Sequence, residues 1–364
     1  MTGIRRVAAI AAAALLLLAA PLGAEASGSG SGKKSIWGPV SLPDGSSAFP
    51  VYRRLGVDTL QLDIGWHDVA PERPRQERNP ADPAYQWGDT IDTAIRGARR
   101  SGMQIALMVR GSPPWANGGR NTAWAPETRS FRRFVTAAAR RYPSVRHWMI
   151  WGETNRRPVF KPLPPDRPRG PRVYAKLLAA AYRALKAENQ RNLVIGGMTW
   201  SFGDMRPADF LRWMRLPNGK PPPLDLYGHN PFTLRFPDLS DGEYGGEPQA
   251  RDFGELDRLH DDLARVYRGR YPQFRRSGPK LWLSEFGVSS DHTTREFPFH
   301  VSRLEQARWL TASFRAAAGA PWIATIGWMR LVDEPASDPF GATSGLLTYE
   351  GERKPAFRAY GRAP

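Results

Sequence analysis

His147-Trp-Met-Ile-Trp-Gly-Glu-Thr-Asn155 opens as an apolar, aromatic run and ends abruptly in a lone carboxylate, Glu153. A strand buried on both faces is continuously apolar, not alternating, and this run reads as one. Lys280-Leu-Trp-Leu-Ser-Glu-Phe-Gly287 has the same form and ends in Glu285. An ionisable group at the end of a buried strand is costly to desolvate, so it needs a partner or a chemical task.

Six further apolar runs share this character: Ser35–Val40, Thr59–Trp66, Gln104–Val109, Leu193–Trp200, Leu224–His229 and Trp322–Met329, with the fourth and seventh strands spanning Arg146–Trp151 and Lys280–Phe286. Segments of helical period fill the gaps. Tyr174, Leu177, Leu178, Ala181 and Leu185 form one stripe, Phe131, Phe134, Val135 and Ala138 a second, and Leu256, Leu259, Leu263 and Val266 a third. Eight βα units over about 330 residues predict an α/β chain, a single-domain (β/α)₈ TIM barrel over residues 35–364. A doubly wound open sheet is the competitor, and the lack of a Gly-x-Gly-x-x-Gly after the first strand counts against it.

Residues 1–26 lie outside that domain. Arg5 and Arg6 precede an apolar run from Val7 to Ala20, and Ala24-Glu25-Ala26 offers a small-x-small cleavage site. This is the pattern of a secretory signal peptide, with an uncleaved anchor as the alternative. Residues 27–34 read as a Gly/Ser linker. The expectation is a secreted protein, extracellular or associated with the cell wall, with no stable membrane insertion after cleavage. The chain has no cysteine, which excludes disulfides and cysteine zinc sites.

The formal charge is +17. Residues 1–26 contribute a net +1, leaving +16 for the remainder. Such a balance suits acidic glycans, anionic walls or nucleic acid. The arginines are nonetheless spread over most helices, as a solvated surface would be, and the aromatic–basic interleaving of nucleic-acid modules is missing. No nucleic-acid partner is expected, and the chain is read as a monomer.

The unusual polar residues all fall at predicted strand ends: Asp63 and His67, Arg110, Glu153 and Asn155, Trp200, His229, Glu285, Trp328 and Asp333. In a closed barrel these ends converge on one mouth. Two proline-rich loops, Pro71–Pro83 and Pro158–Pro171, follow the second and fourth strands, and with Phe236–Glu247 they would shape that mouth.

At this point the chain resembles the clan A retaining glycoside hydrolases, close to families 39 and 5 (the cellulase-like barrels). The resemblance rests on Glu153 after strand four, Glu285 in Ser-Glu-Phe-Gly after strand seven, Ser112-Pro-Pro-Trp-Ala116, His229-Asn-Pro-Phe232, Trp328, and Gly345-Leu-Leu347 followed by Lys354-Pro-Ala-Phe357. It implies a β-linked oligo- or polysaccharide substrate, an acidic glycan among the candidates. Glu153 would be acid/base and Glu285 nucleophile in a double displacement, with no cofactor and no metal. Two positions depart from the pattern: Gly152 stands where the family has Asn, and Gln61 where an Arg often lies. Glu153 is expected to hold its proton more tightly, because an anion and apolar walls favour its neutral form.

Other residues allow two readings. Trp66, Trp115, Trp151 and Trp328 either stack on sugar rings or pack the barrel wall. Asn155 and His229 either bind sugar hydroxyls or make structural hydrogen bonds. Asp63 and Asp333 suit ion pairs with arginine at the mouth. The competing function is a carbohydrate- or cell-wall-binding barrel with little or no catalysis, suggested by Gly152 and Gln61.

Overall fold

The computed structural model describes residues 33–239, 249–294, 298–335, 338 and 341–364. The expected signal peptide, most of the linker and residues 240–247 of the third loop lie outside these. Eight parallel strands close into a barrel: β1 (Lys34–Trp37), β2 (Thr59–Gly65), β3 (Gln104–Arg110), β4 (His147–Ile150), β5 (Leu193–Trp200), β6 (Leu226–Asn230), β7 (Lys280–Phe286) and β8 (Ile323–Trp328). Each strand pairs with its neighbour in sequence, and β1 closes the ring on β8 through Lys34–Ile326, Ser35–Gly327 and Ile36–Trp328. The (β/α)₈ barrel expected from the apolar runs is the fold observed.

Helices cover the outside with the faces their periodicity marks. In Arg169–Glu188, Tyr174, Leu177, Leu178, Ala181 and Leu185 are all buried. The Thr128–Arg141 helix buries Phe131, Phe134, Val135 and Ala138 the same way, and packs beside it. Among the described residues, no helix is long and apolar enough to cross a membrane.

The barrel interior is filled by Ala106, Met108, Met149, Ile195, Met198 and Trp282. Methionine suits this irregular space because its thioether is flexible and polarizable. A small polar network sits among them. The Gln61 amide donates to the Ser284 carbonyl (2.7 Å), which also accepts from the Trp37 indole (3.0 Å), while the Trp282 indole donates to Gln61 Oε1 (2.9 Å). Gly327 makes room for it, since a Cβ there would lie 2.4 Å from Gln61 Nε2. Gln61 is fully buried inside the barrel. It is therefore a packing and register residue, and not the counterpart of an arginine at the mouth.

Behind the mouth, Lys354 is buried and its ammonium bonds both oxygens of Asp333 (3.0 and 2.9 Å) and the Thr343 carbonyl (2.9 Å). Asp333 thus pairs with a lysine, where an arginine was expected. Removing one partner of a buried pair strands the other charge. Lys354→Met is predicted to cost about 3–5 kcal/mol in denaturant unfolding; wild-type stability would contradict this account of the pair.

Candidate active site

The C-terminal ends of β2 to β8 surround a cavity of about 620 Å³. Its polar lining includes Asp63, Arg110, Glu153, Arg156 and Glu285, with Arg330 and Glu334 arriving from beyond β8. Phe232, Leu234, Val288, Phe299 and Met329 add apolar lining. The two glutamates singled out by sequence share this one cavity.

Glu153 leaves β4 through a strained turn. Trp151 and Glu153 both hold positive φ (66° and 40°), which is costly for residues with a Cβ and persists only where the surroundings fix it. The surroundings do so here. The Trp151 indole donates to the Val159 carbonyl (2.9 Å), Thr154 Oγ1 to the Gly197 carbonyl (2.5 Å), and the Thr154 amide to the Met198 carbonyl (2.9 Å). Asn155 completes the clamp: its amide donates to the carbonyls of Trp200 (2.8 Å) and Met205 (2.9 Å), and its oxygen accepts from the Trp200 amide (2.7 Å). The Glu153 carboxylate then pairs with Arg156 and accepts from Asn230 Nδ2 at 3.3 Å. It stays at the cavity wall, with 14% of its side chain accessible.

Gly152 is small for a stated reason. A Cβ there would sit 2.8 Å from Met108 Sδ, and Met108 floors the cavity. The departure from the family's Asn is thus coupled to the methionine beneath it.

Glu285 follows Ser284, whose carbonyl is held by Gln61 and Trp37, so the strand end is pinned from inside the barrel. It is half-buried, and among the described residues no hydrogen bond reaches its carboxylate. Desolvation, reinforced by the charges of Glu153 and Asp63, pushes its carboxyl up to about 8, against the opposing pull of Arg110 and Arg330. A tightly held proton was expected at Glu153; the carboxyl that burial raises is that of Glu285.

The structure does not bring the five expected sugar ligands to the cavity wall. Trp66 is buried, stacked on Phe134 (4.9 Å between centroids) and edge-on to Trp115 (5.4 Å). Trp115 donates to the Ala70 carbonyl (2.9 Å). Trp328 is fully buried, with its indole on the Ser344 carbonyl (2.8 Å). His229 is fully buried between Thr199 Oγ1 (2.8 Å) and the Arg251 carbonyl (2.7 Å), and burial pushes its imidazole down to about 4. Asn155 serves the turn that aims Glu153. Trp115, Trp328, His229 and Asn155 spend their polar side-chain atoms on backbone or a neighbouring side chain, and Trp66 is packed among aromatic rings.

Other residues hold the places at the wall. Asp63 pairs with Arg110 at 2.8 Å, so the arginine of the mouth comes from β3. Arg156 pairs with Glu153, and Arg330 with Glu334. Trp200, at the end of β5, is the tryptophan that lines the cavity, with the Arg156 guanidinium 4.6 Å from its ring centroid. Arg156 was readable as the i+3 neighbour of Glu153, a spacing that pairs charges on one turn. Trp200 was readable as a strand end, but nothing in sequence ranked it above Trp328. Among the described residues, no cluster of three or more His, Asp or Glu side chains is arranged for a metal.

No family model and no curated protein matches the sequence. Solved structures match the fold. A family 39 glycoside hydrolase from the gut symbiont Bacteroides cellulosilyticus WH2 superposes with a TM-score of 0.65 at 16% identity, covering 91% of this chain and 63% of that one. A glucosidase from Croceicoccus marinus gives 0.63 at 16% identity, with 90% and 66% covered. The GH39 enzyme from Xanthomonas axonopodis pv. citri gives 0.59 at 17% identity, with 90% and 65% covered. The chain therefore shares the barrel of these enzymes and spans just under two-thirds of their length.

Two outcomes test this geometry. Gly152→Asn is predicted to cost about 1–3 kcal/mol by overpacking against Met108, and to cost less when introduced into a Met108→Ala chain. Equal losses with and without the second change would exclude the coupling. For Glu285 the sign follows from its raised value. Below about pH 4.5 both folded and unfolded chains are protonated; between there and about 8 only the folded chain keeps the proton, so stability falls as pH rises. Glu285→Gln should therefore raise the melting temperature increasingly from pH 5 to 8 and hardly at all at pH 4. A constant difference across that range would refute the raised carboxyl.

Proposed function

We propose that the protein is a secreted glycoside hydrolase that cleaves β-linked glycans with Glu153 and Glu285 and needs no cofactor. The observation that carries the reading is the meeting of two strand-end glutamates, 132 residues apart in sequence (153 to 285), in one cavity. Glycoside hydrolysis needs such a pair, one carboxyl protonated and one ionised. The shared barrel supports it.

Burial raises the Glu285 carboxyl, while Glu153 pairs with Arg156. Attack requires Glu285 ionised and Glu153 protonated, so in the proposed reaction the substrate separates Glu153 from Arg156 and a proton passes from Glu285 to Glu153. The Glu285 carboxylate then forms a bond to the anomeric carbon, the bond to the leaving oxygen breaks, and Glu153 gives that oxygen its proton. Water next attacks the anomeric carbon, Glu153 takes its proton, and Glu285 departs as carboxylate. Asp63 with Arg110, and Arg330 with Glu334, hold fixed charge around the reacting centre. Retention of configuration calls for carboxyl groups about 5–5.5 Å apart.

One observation favours a second reading. The pairing of Glu153 with Arg156 occupies the acid, as a sugar-binding barrel with little turnover would tolerate. A panel of aryl β-glycosides and β-glucans, xylans and galactans separates the two. Glu153→Ala is expected to lower kcat by about 10²–10⁴-fold on whichever substrate is cleaved, and Glu285→Gln to abolish turnover with the β-anomer as first product of the wild type. Binding without cleavage by the wild-type protein would establish the binder.

A further inference from the structure

The catalytic cavity does not end at Arg156. Beyond that residue a second cavity of about 450 Å³ opens, lined by Arg156, Pro158, Trp200, Phe202, Asp204 and Arg206 among others. Arg156, Trp200 and Phe202 belong to both cavities. Side chains common to both cavities divide them, and one of these is a cation. Arg156 pairs with the Glu153 carboxylate while its guanidinium lies over the face of Trp200.

The walls of the second cavity are set by contacts of their own. Phe202 stands edge-on to Trp200 with centroids 5.7 Å apart. Asp204 accepts from the Arg157 amide (2.8 Å) and Nε (2.7 Å), and the Arg206 guanidinium bonds the carbonyls of Phe202 and Gly203. An indole face beside carboxylate and guanidinium groups matches a sugar ring, which offers an apolar C–H face edged by hydroxyls.

We propose that this second cavity is the subsite for the leaving-group end of a β-linked oligosaccharide. The substrate lies across both cavities, and its first leaving-side ring rests on Trp200 in place of the Arg156 guanidinium. The inference builds on the glycosidase reading of Glu153 and Glu285, and it adds a length requirement. A glycan long enough to cover Trp200 moves Arg156 away from Glu153, which then faces the glycosidic oxygen. A ligand too short to reach Trp200 leaves Arg156 in place. Arg156 acts here as a positioning residue that couples occupancy of the second cavity to the readiness of the acid.

The test uses the full chain carrying Glu285→Gln. Calorimetry is run with β-1,4-linked gluco-, xylo- and galacto-oligosaccharides and β-1,3-linked gluco-oligosaccharides, from di- to hexasaccharide. In at least one series the Kd is expected to fall about tenfold or more between di- and tetrasaccharide. Adding Trp200→Ala should erase that gain, and Trp200→Phe, which keeps a ring, should restore part of it. Arg156→Ala should widen the gap, because the longer chain no longer has to displace a cation; a purely structural role would weaken every ligand alike. Equal affinity for short and long members, no binding in any series, or a length gain that survives loss of the Trp200 ring would overturn the subsite. Length-dependent binding with no wild-type turnover would sink the hydrolase reading alone, and turnover with flat affinity would sink the subsite alone.

Discussion

Closure of the sheet is the constraint on which the rest depends. β1 is only four residues long, yet it pairs with β2 on one side and β8 on the other, and the ring exists because both pairings are made. Without it the sheet would be open at β2 and β8, and nothing would curl the ends of β4 and β7 around one cavity. The Gln61–Ser284–Trp37–Trp282 network ties β1, β2 and β7 together from inside. Burial of these polar groups is tolerable because each of the bonds is made. The same network fixes Ser284, and with it the residue that follows.

Charge is distributed differently at the mouth than over the whole chain. The formal balance is strongly basic, but in the cavity Arg110, Arg156 and Arg330 each face a carboxylate: Asp63, Glu153 and Glu334. Glu285 forms no such pair among the described residues, and burial with the charges of Glu153 and Asp63 raises its carboxyl. The basic surplus lies on the helices and is not focused on the reacting centre.

Much of the fold was legible because buried parallel strands leave an unbroken apolar signature, and all eight runs became barrel strands within a few residues of their expected bounds. The two glutamates were legible for the same reason, as carboxylates where such runs stop. What sequence could not supply was direction. Trp328 ends β8 just as Trp200 ends β5, but the Trp328 indole is turned into the wall, onto the Ser344 carbonyl. Trp151 and Glu153 depend on positive φ values that no side-chain pattern announces. Gln61 and Arg110 show the related difficulty across strands. The mouth's arginine came from β3, two residues beyond the level of Asp63, because pairing register places Met108 opposite Asp63 and Arg110 opposite Gly65.

The central claim is that Glu285 and Glu153 work on one acetal in one cavity, with Glu285 as the group that bonds to carbon. A 2-deoxy-2-fluoro β-glycoside with a good leaving group, matched to the sugar the protein cleaves, would arrest the reaction after that bond forms. Peptide mass spectrometry would then locate the attached sugar. The account predicts a single fluoroglycosyl ester on Glu285, formed with loss of activity. A label on Glu153 or elsewhere, or inactivation with no covalent adduct, would contradict it.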